Sequence, residues 1–175
     1  VWTNTAAGAV FTPGTGTVTF ENNGANIFTG TTTGPAAGKS FYNVVINKNS
    51  GQNASLQGDM DVLNDFIVSG GTFVTNTYDV WVAGNFSNNS TFNANSAAHL
   101  LTLNAAGGSK IFDPGTGTTF QGITVNSGAT YTVQNNFGIN NVDFTLTNGY
   151  FDLSGRRITV NSNNRRIVIN GGTFD

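Results

Sequence analysis

The sequence predicts an all-β chain wound into stacked coils. Three observations carry that expectation. The composition favours strands and turns over helices, a short apolar token recurs along the whole chain, and the tokens return at a nearly constant spacing.

The composition excludes much. The 175 residues include 26 Asn, 25 Thr, 23 Gly and 14 Phe, but a single Glu, Glu21, and three Lys. Charged residues make up 9% of the chain, against about 25% in ordinary globular domains. Exposed helix faces are built from Glu, Lys, Gln, Arg and Ala, and that material is missing here. Thr, Val, Ile, Phe and Tyr suit pleated strands, while Asn and Gly suit turns. The length allows one domain with a sizeable core. A net charge of -2 and the lack of a basic stripe argue against a nucleic-acid partner. The doublets Arg156-Arg157 and Arg165-Arg166 read as solvated edge charges. No apolar run approaches the roughly 18 residues of a membrane-spanning helix. The absence of Cys fits an exported protein as well as a cytosolic one. The chain opens on Val1 rather than Met, which leaves room for an export signal outside it. The Asn/Thr/Gly bias and the scarcity of charge point to an extracellular setting.

The token is apolar, any residue, apolar, then usually a small polar residue. It reads VTFE (18–21), VVIN (44–47), FIVS (66–69), VWVA (80–83), LTLN (101–104), ITVN (123–126), FTLT (144–147), ITVN (158–161) and IVIN (167–170). Apolar residues two apart share one face of a strand. The residue after them, often Asn, tolerates left-handed backbone and suits a corner. From Leu103 the token ends recur at Val125, Leu146 and Ile169, a nearly even spacing. That spacing, about 22 residues, is one coil of a parallel β-helix with three short strands per coil. The chain therefore predicts about eight coils.

A longer repeat lies over the short one. FYNVVIN (41–47) matches FQGITVN (120–126), and DFIVSGGTF (65–73) matches DFTLTNGYF (143–151). VTFENNGANIF (18–28) matches LTLNAAGGSKIF (101–112), and WTNTAAGAVF (2–11) echoes FSNNSTF (86–92). The chain therefore reads as a single solenoid, 1–175. It holds two long pseudo-repeats, 2–84 and 85–164, and the start of a third at 165–175. The phrase PGTGT, at Pro13 and again at Pro114, falls at two different slots of that repeat. It reads as a generic connector, in which Pro pre-sets φ and Gly tolerates unusual backbone. A phosphate cradle would need a following helix and a Lys-Ser/Thr end, and neither is present.

The tokens FYNVVINKNSG, GGTFV, VAGNFSNNSTFNAN and TVTFENNGANIF resemble the right-handed parallel β-helix repeats of large bacterial surface proteins, of the autotransporter-passenger and haemagglutinin-like adhesin type. The resemblance covers nearly the whole chain. It implies export, a structural or adhesive task and no fixed catalytic set. It carries over no functional residues, because the shared motif consists of core and corner positions.

Few residues offer chemistry. Asp59 and Asp61, near Asp65, are the only weak candidates for a Ca²⁺ site, since alternate residues of a strand share a face. A solvated corner is the plainer reading, and the pair is too isolated for glycoside chemistry. His99 is the only histidine and reads as a surface or corner residue. Trp2, Trp81, Tyr42, Tyr78, Tyr131 and Tyr150 are the types that stack on sugars, but in such a fold they more often pack between coils. Thr-x-Thr at Thr15-Thr17-Thr19, Thr29-Thr31 and Thr116-Thr118 raises ice binding; these residues sit in connectors rather than once per coil. Sequons at Asn53, Asn85, Asn88 and Asn89 follow from the composition. The expected function is a non-catalytic structural or adhesive module of an extracellular bacterial surface protein or fibre, with no cofactor. Its expected partners are further coils of the same repeat at both ends, and cell-surface glycans. A carbohydrate-binding or carbohydrate-active β-helix is the alternative.

Overall fold

The computed structural model describes residues 1–4, 9–28, 39–94 and 99–175. Among them there is no helix, and every strand pair is parallel. The chain is a parallel β-solenoid of about seven turns with three faces, visited in a fixed order.

The first face runs through Trp2–Thr3, Ala25–Phe28, Asn53–Leu56, Thr72–Val74 and Thr91–Asn93. It resumes after a break with Thr119–Phe120, Phe137–Ile139 and Ile158–Val160. Phe92 and Phe120 span the break with ring centroids 5.2 Å apart, and the Gln121 side-chain amide donates to the Ala94 carbonyl. The second face carries Met60–Val62, Val80–Val82, Leu100–Leu103, then residues 122–125 and 144–146, and Ile167–Ile169. The third carries Thr17–Asn22, Asn43–Lys48, Phe66–Gly70, Phe86–Asn88, Ser109–Asp113, residues 130–133 and 150–152, and Thr173–Phe174. Gly122–Val133 and Phe144–Asp152 each turn the corner between the second and third faces without interruption. At that corner a Cβ on Gly149 (φ 96°) would lie 2.5 Å from the Ser127 carbonyl oxygen one coil back, so only glycine fits.

The coil length follows from register. On the second face Val62, Val82, Leu103, Val125, Leu146 and Ile169 stack one above another, one per coil. Successive coils there are close to equal in length. On the third face Val18 pairs with Val44 and Phe86 with Phe112, across coils lengthened by their connectors. The chain makes about seven turns rather than the eight expected.

The tokens supply the core. Val44, Ile46, Phe66, Val68, Val80, Val82, Leu101, Leu103, Ile123, Val125, Phe144 and Leu146 are all buried. Ile158, Val160, Ile167 and Ile169 were expected to join them and do not; Ile169 is 46% exposed. They lie on the last strand of their ladders, with no coil stacked beyond them. Phenylalanines fill the axis. Phe86 packs against four other rings, those of Phe66, Phe92, Phe112 and Phe120.

The Asn after the token does mark the end of a strand, as at Asn104, Asn161 and Asn170, or a register shift, as at Asn47 and Asn126. Left-handed backbone is not how it does so: among the described residues the non-glycine residues with positive φ are Asn22, Asn76, Ser154 and Asn164, and none directly follows a token's last apolar residue. The structural Asx residue lies at the other end of the strand. Asn43, Asp59, Asp65, Asp79, Asn85, Asn136 and Asp143 each directly precede a strand's first inward residue. In each, Oδ1 accepts a backbone N–H from the next coil, at 2.8–3.2 Å. This bond continues the ladder across the strand entrance, where backbone pairing alone leaves a donor unmatched.

The phrases paired by the long repeat do not stack on one another. Val18 and Phe20 lie on the third face, while their partners Leu101 and Leu103 lie on the second. Phe66 and Val68 are on the third face, Phe144 and Leu146 on the second. Phe41 bridges to Val62 on the second face, and its partner Phe120 is on the first. Trp2, Phe86 and Ile167 occupy the first, third and second faces in turn. Each copy is thus displaced by three coils and two-thirds, eleven strand positions along the solenoid.

Candidate functional site

The expected acidic pair lies on one coil, but its two members bond to different neighbouring coils. Asp59 accepts the Asp79 N–H at 3.0 Å, on the coil above. Asp61 is buried and accepts a hydrogen bond from the Ser40 hydroxyl, on the coil below. Burial pushes the Asp61 carboxyl above its usual range, and the Ser40 bond works against that shift. Among the described residues no group of three or more His, Asp or Glu converges as a metal site.

His99 is not isolated, contrary to its sequence surroundings. Its Nδ1 lies 3.3 Å from Asp79 Oδ1, which also accepts the Leu100 N–H at 2.8 Å. Asp79 belongs to the preceding coil and is brought there by one full turn of the solenoid. Thr75, Tyr78, His99 and Gln121 line a cleft beside this pair of only about 10 Å³. That is room for about one water and no substrate. Thr75 Oγ1 is buried in that wall without a protein partner.

The aromatic candidates divide by position. Trp2 closes the core at the N-terminal coil, 4.7 Å from Phe11 and 5.1 Å from Phe41. Tyr131 is fully buried, with its hydroxyl donating to the Gly84 carbonyl at 3.2 Å, and burial pushes its pKa far up. Tyr150 donates to Asp175 Oδ2 at 2.9 Å, and that bond raises its pKa. Trp81 and Tyr42 are half-buried on outer surfaces, whereas Tyr78 is half-buried against the core.

Asn88, one of the sequon residues, is buried. Its amide donates to the Pro114 carbonyl and to Thr118 Oγ1, both at 3.0 Å, and so clamps the second PGTGT turn. A Cβ on Gly115 (φ 74°) would lie 2.2 Å from the Asn88 carbonyl oxygen. That turn is fitted to the coil beneath it. The two PGTGT turns serve different corners, between the second and third faces and between the third and first. Thr29 and Thr31 lie outside the described residues. Thr17 and Thr19 stand beside Asn43 and Val45, so they form no threonine column. One column does exist elsewhere: Thr102, Thr124 and Thr145 stack one per coil outside the second face. It ends against Trp81 and Val168.

A concavity lies on the outside of the first face, near the C-terminal end. Thr119, Gly138 and Thr159 form the outward column of three adjacent strands. Turns 116–118 and 135–136 rise on one side, and Arg157 and Asn161 close the others. Together they enclose a trough of about 370 Å³. The Asn161 amide reaches across Gly138 to Thr119 Oγ1 at 3.4 Å. Asn136 Oδ1 accepts the Arg157 N–H at 2.8 Å, and the Asn135 amide donates to Asp113 Oδ1 at 2.8 Å. All four arginines are exposed, as expected. Arg166 pairs with Asp143 at 3.1 Å, whereas the Arg157 guanidinium has no carboxylate partner among the described residues.

Compared with known proteins, the chain matches no family model, no curated protein and no solved structure.

Proposed function

We propose that the chain is a non-catalytic structural and adhesive module of an extracellular bacterial surface protein or fibre, lengthened by end-to-end stacking of coils. The observation that carries this reading is the continuous stack of parallel coils around one apolar core. Ile158–Val160, Ile167–Ile169 and Thr173–Phe174 each pair on one side only. Their inward residues Val160, Ile167 and Ile169 are 37–46% exposed. Unpaired parallel edges above an open apolar core invite a further strand on each face. In the self-stacking form the added strand is the Trp2–Thr3 of a second copy, which follows Thr173–Phe174 in face order.

Sedimentation velocity over a hundredfold concentration range tests the self-stacking form. Growth of the sedimentation coefficient with concentration, abolished by Ile169→Lys, is the expected result. A wild-type chain that stays monomeric at every concentration would refute stacking between copies.

A further inference from the structure

We propose that the trough on the first face binds an acidic saccharide chain through Arg157. The long repeat gives the trough its significance. The inward ladder Phe120–Ile139–Val160 stands three coils and two-thirds beyond Phe41–Val62–Val82, which shares its spacing and residue types. The outward residues just before each rung are therefore equivalent: Ser40, Asp61 and Trp81 in one copy, Thr119, Gly138 and Thr159 in the other. In the first copy Asp61 fills the middle position and is tied to Ser40. In the second copy Gly138 brings no side chain, the Asn161 amide and Thr119 lie over it instead, and the trough opens beside them. Gly138 has no positive φ, so the backbone does not require glycine there; what it lacks is the side chain.

The lining selects the ligand. The volume lies at the small end of ligand-binding pockets, about 300–1,000 Å³. No carboxylate is among the lining residues, and the one charge is Arg157. Asn136 keeps its NH₂ as a donor, and Asn135 keeps its carbonyl as an acceptor, because their other ends are engaged within the protein. Thr159 adds a hydroxyl that is both. A ligand must therefore carry an anionic group together with many hydroxyls. A uronate unit meets both demands, with its carboxylate in the two-pronged geometry that guanidinium favours. The column crosses three strands, about 10 Å along the axis at the usual strand spacing, so the site takes a short stretch of a chain. A nucleic acid would need more cations than this face offers. The proposal gives the adhesive half of the reading above a ligand class, and it does not depend on end-to-end stacking.

The test is a ¹⁵N chemical-shift titration of the whole protein with a tetra-uronate, with maltotetraose and sodium sulfate as parallel arms. The expected result is saturable shifts at Thr119, Gly138 and Asn161 with the tetra-uronate, at least tenfold tighter than with either control. Arg157→Gln weakens binding at least tenfold, whereas Arg165→Gln leaves it unchanged. Gly138→Asp, which copies the filled arrangement of the first repeat, abolishes binding at an unchanged thermal midpoint. A Cβ there meets the exposed side chains of Asn161 and Thr119, which can swing aside. Should Gly138→Asp fail to fold, Arg157→Gln decides alone, because that side chain is exposed. Absence of saturable shifts, equal affinity for maltotetraose or sulfate, or full binding by Arg157→Gln overturns the proposal. Sedimentation behaviour does not enter these outcomes, so the stacking reading and this one fail separately.

Discussion

Phe86→Ala is the sharpest probe of how the solenoid holds together. Phe86 is fully buried at mid-length, paired through its backbone to Phe66 on one side and Phe112 on the other. Its ring meets Phe66 at 5.7 Å, Phe92 at 5.6 Å, Phe112 at 5.4 Å and Phe120 at 5.9 Å. Truncating a buried Phe costs about 3–5 kcal/mol through lost burial and the cavity left behind. Each ring pair adds about 0.5–1.5 kcal/mol beyond area alone. The ladders above and below fix the backbone, so the walls have little freedom to collapse, and the cost belongs at the top of that range. Phe174→Ala makes the comparison. Phe174 is half-buried on the last strand, with Phe144 at 5.8 Å and Phe151 at 6.2 Å, and its loss should cost less than half as much. Urea titration by far-ultraviolet circular dichroism gives both values. Tryptophan fluorescence adds position, since Trp2 reports the first coil and Trp81 the middle. The two transitions should separate in Phe86→Ala, because coils couple only to their neighbours. A cost below about 1.5 kcal/mol, or one no larger than that of Phe174→Ala, would refute a continuous, close-packed aromatic axis.

Three further outcomes are expected. Asp61 holds its proton more tightly folded than unfolded, so stability falls as pH rises from the ordinary value of 3.8 through the raised one; Asp61→Asn should flatten that dependence and stabilise the protein at neutral pH, measured as thermal midpoint against pH. Asn88→Ala strands the Pro114 carbonyl and should cost about 1–3 kcal/mol in urea titration, whereas Asn89→Ala, at an exposed neighbour, should stay within about 0.5 kcal/mol. Gly115→Ala forces a side chain onto the Asn88 carbonyl at positive φ and should cost more than about 1 kcal/mol by the same measurement.

The fold class was legible because the inward residues of every face feed one core, and the apolar-x-apolar signature marks most strands of the second and third faces, whereas first-face strands such as Thr91–Asn93 and Thr119–Phe120 carry a single inward Phe and no token. What the sequence hid is lateral. Neighbours across a ladder are a whole coil apart in sequence, and coil length varies with connectors that no token announces. So Asp79 beside His99, and Asn88 beneath Pro114, could not be read from proximity in sequence. The threonine column Thr102–Thr124–Thr145 was hidden for the same reason, since each residue sits inside a different token. The Asx positions before the strands were legible in principle. Asn43, Asp65, Asp79, Asn85, Asn136 and Asp143 all directly precede an aromatic or β-branched residue.

The displacement of the long repeat by two-thirds of a coil explains why its copies agree in some places and diverge in others. The displacement is a whole number of strands but not of coils, so the elementary unit is one strand with its turn. Three faces around one axis present the same inward environment, and a phrase that packs on one packs on the next. That is why Phe41–Val62–Val82 and Phe120–Ile139–Val160 match while standing on different faces. Outward residues feel no such equivalence. Their neighbours are the connectors of the particular corner they flank, and the connectors differ: 29–40 precedes Phe41, whereas the clamped PGTGT turn precedes Phe120. Core positions are thereby held to type, and outward positions are free to acquire separate roles, such as the bonded Asp61 in one copy and the vacated Gly138 in the other. In any longer array built on the same displacement, an outward feature would return one face over every three and two-thirds coils, about 18 Å along the axis at the usual strand spacing. Such an array would present its outward features around the rod rather than along one side.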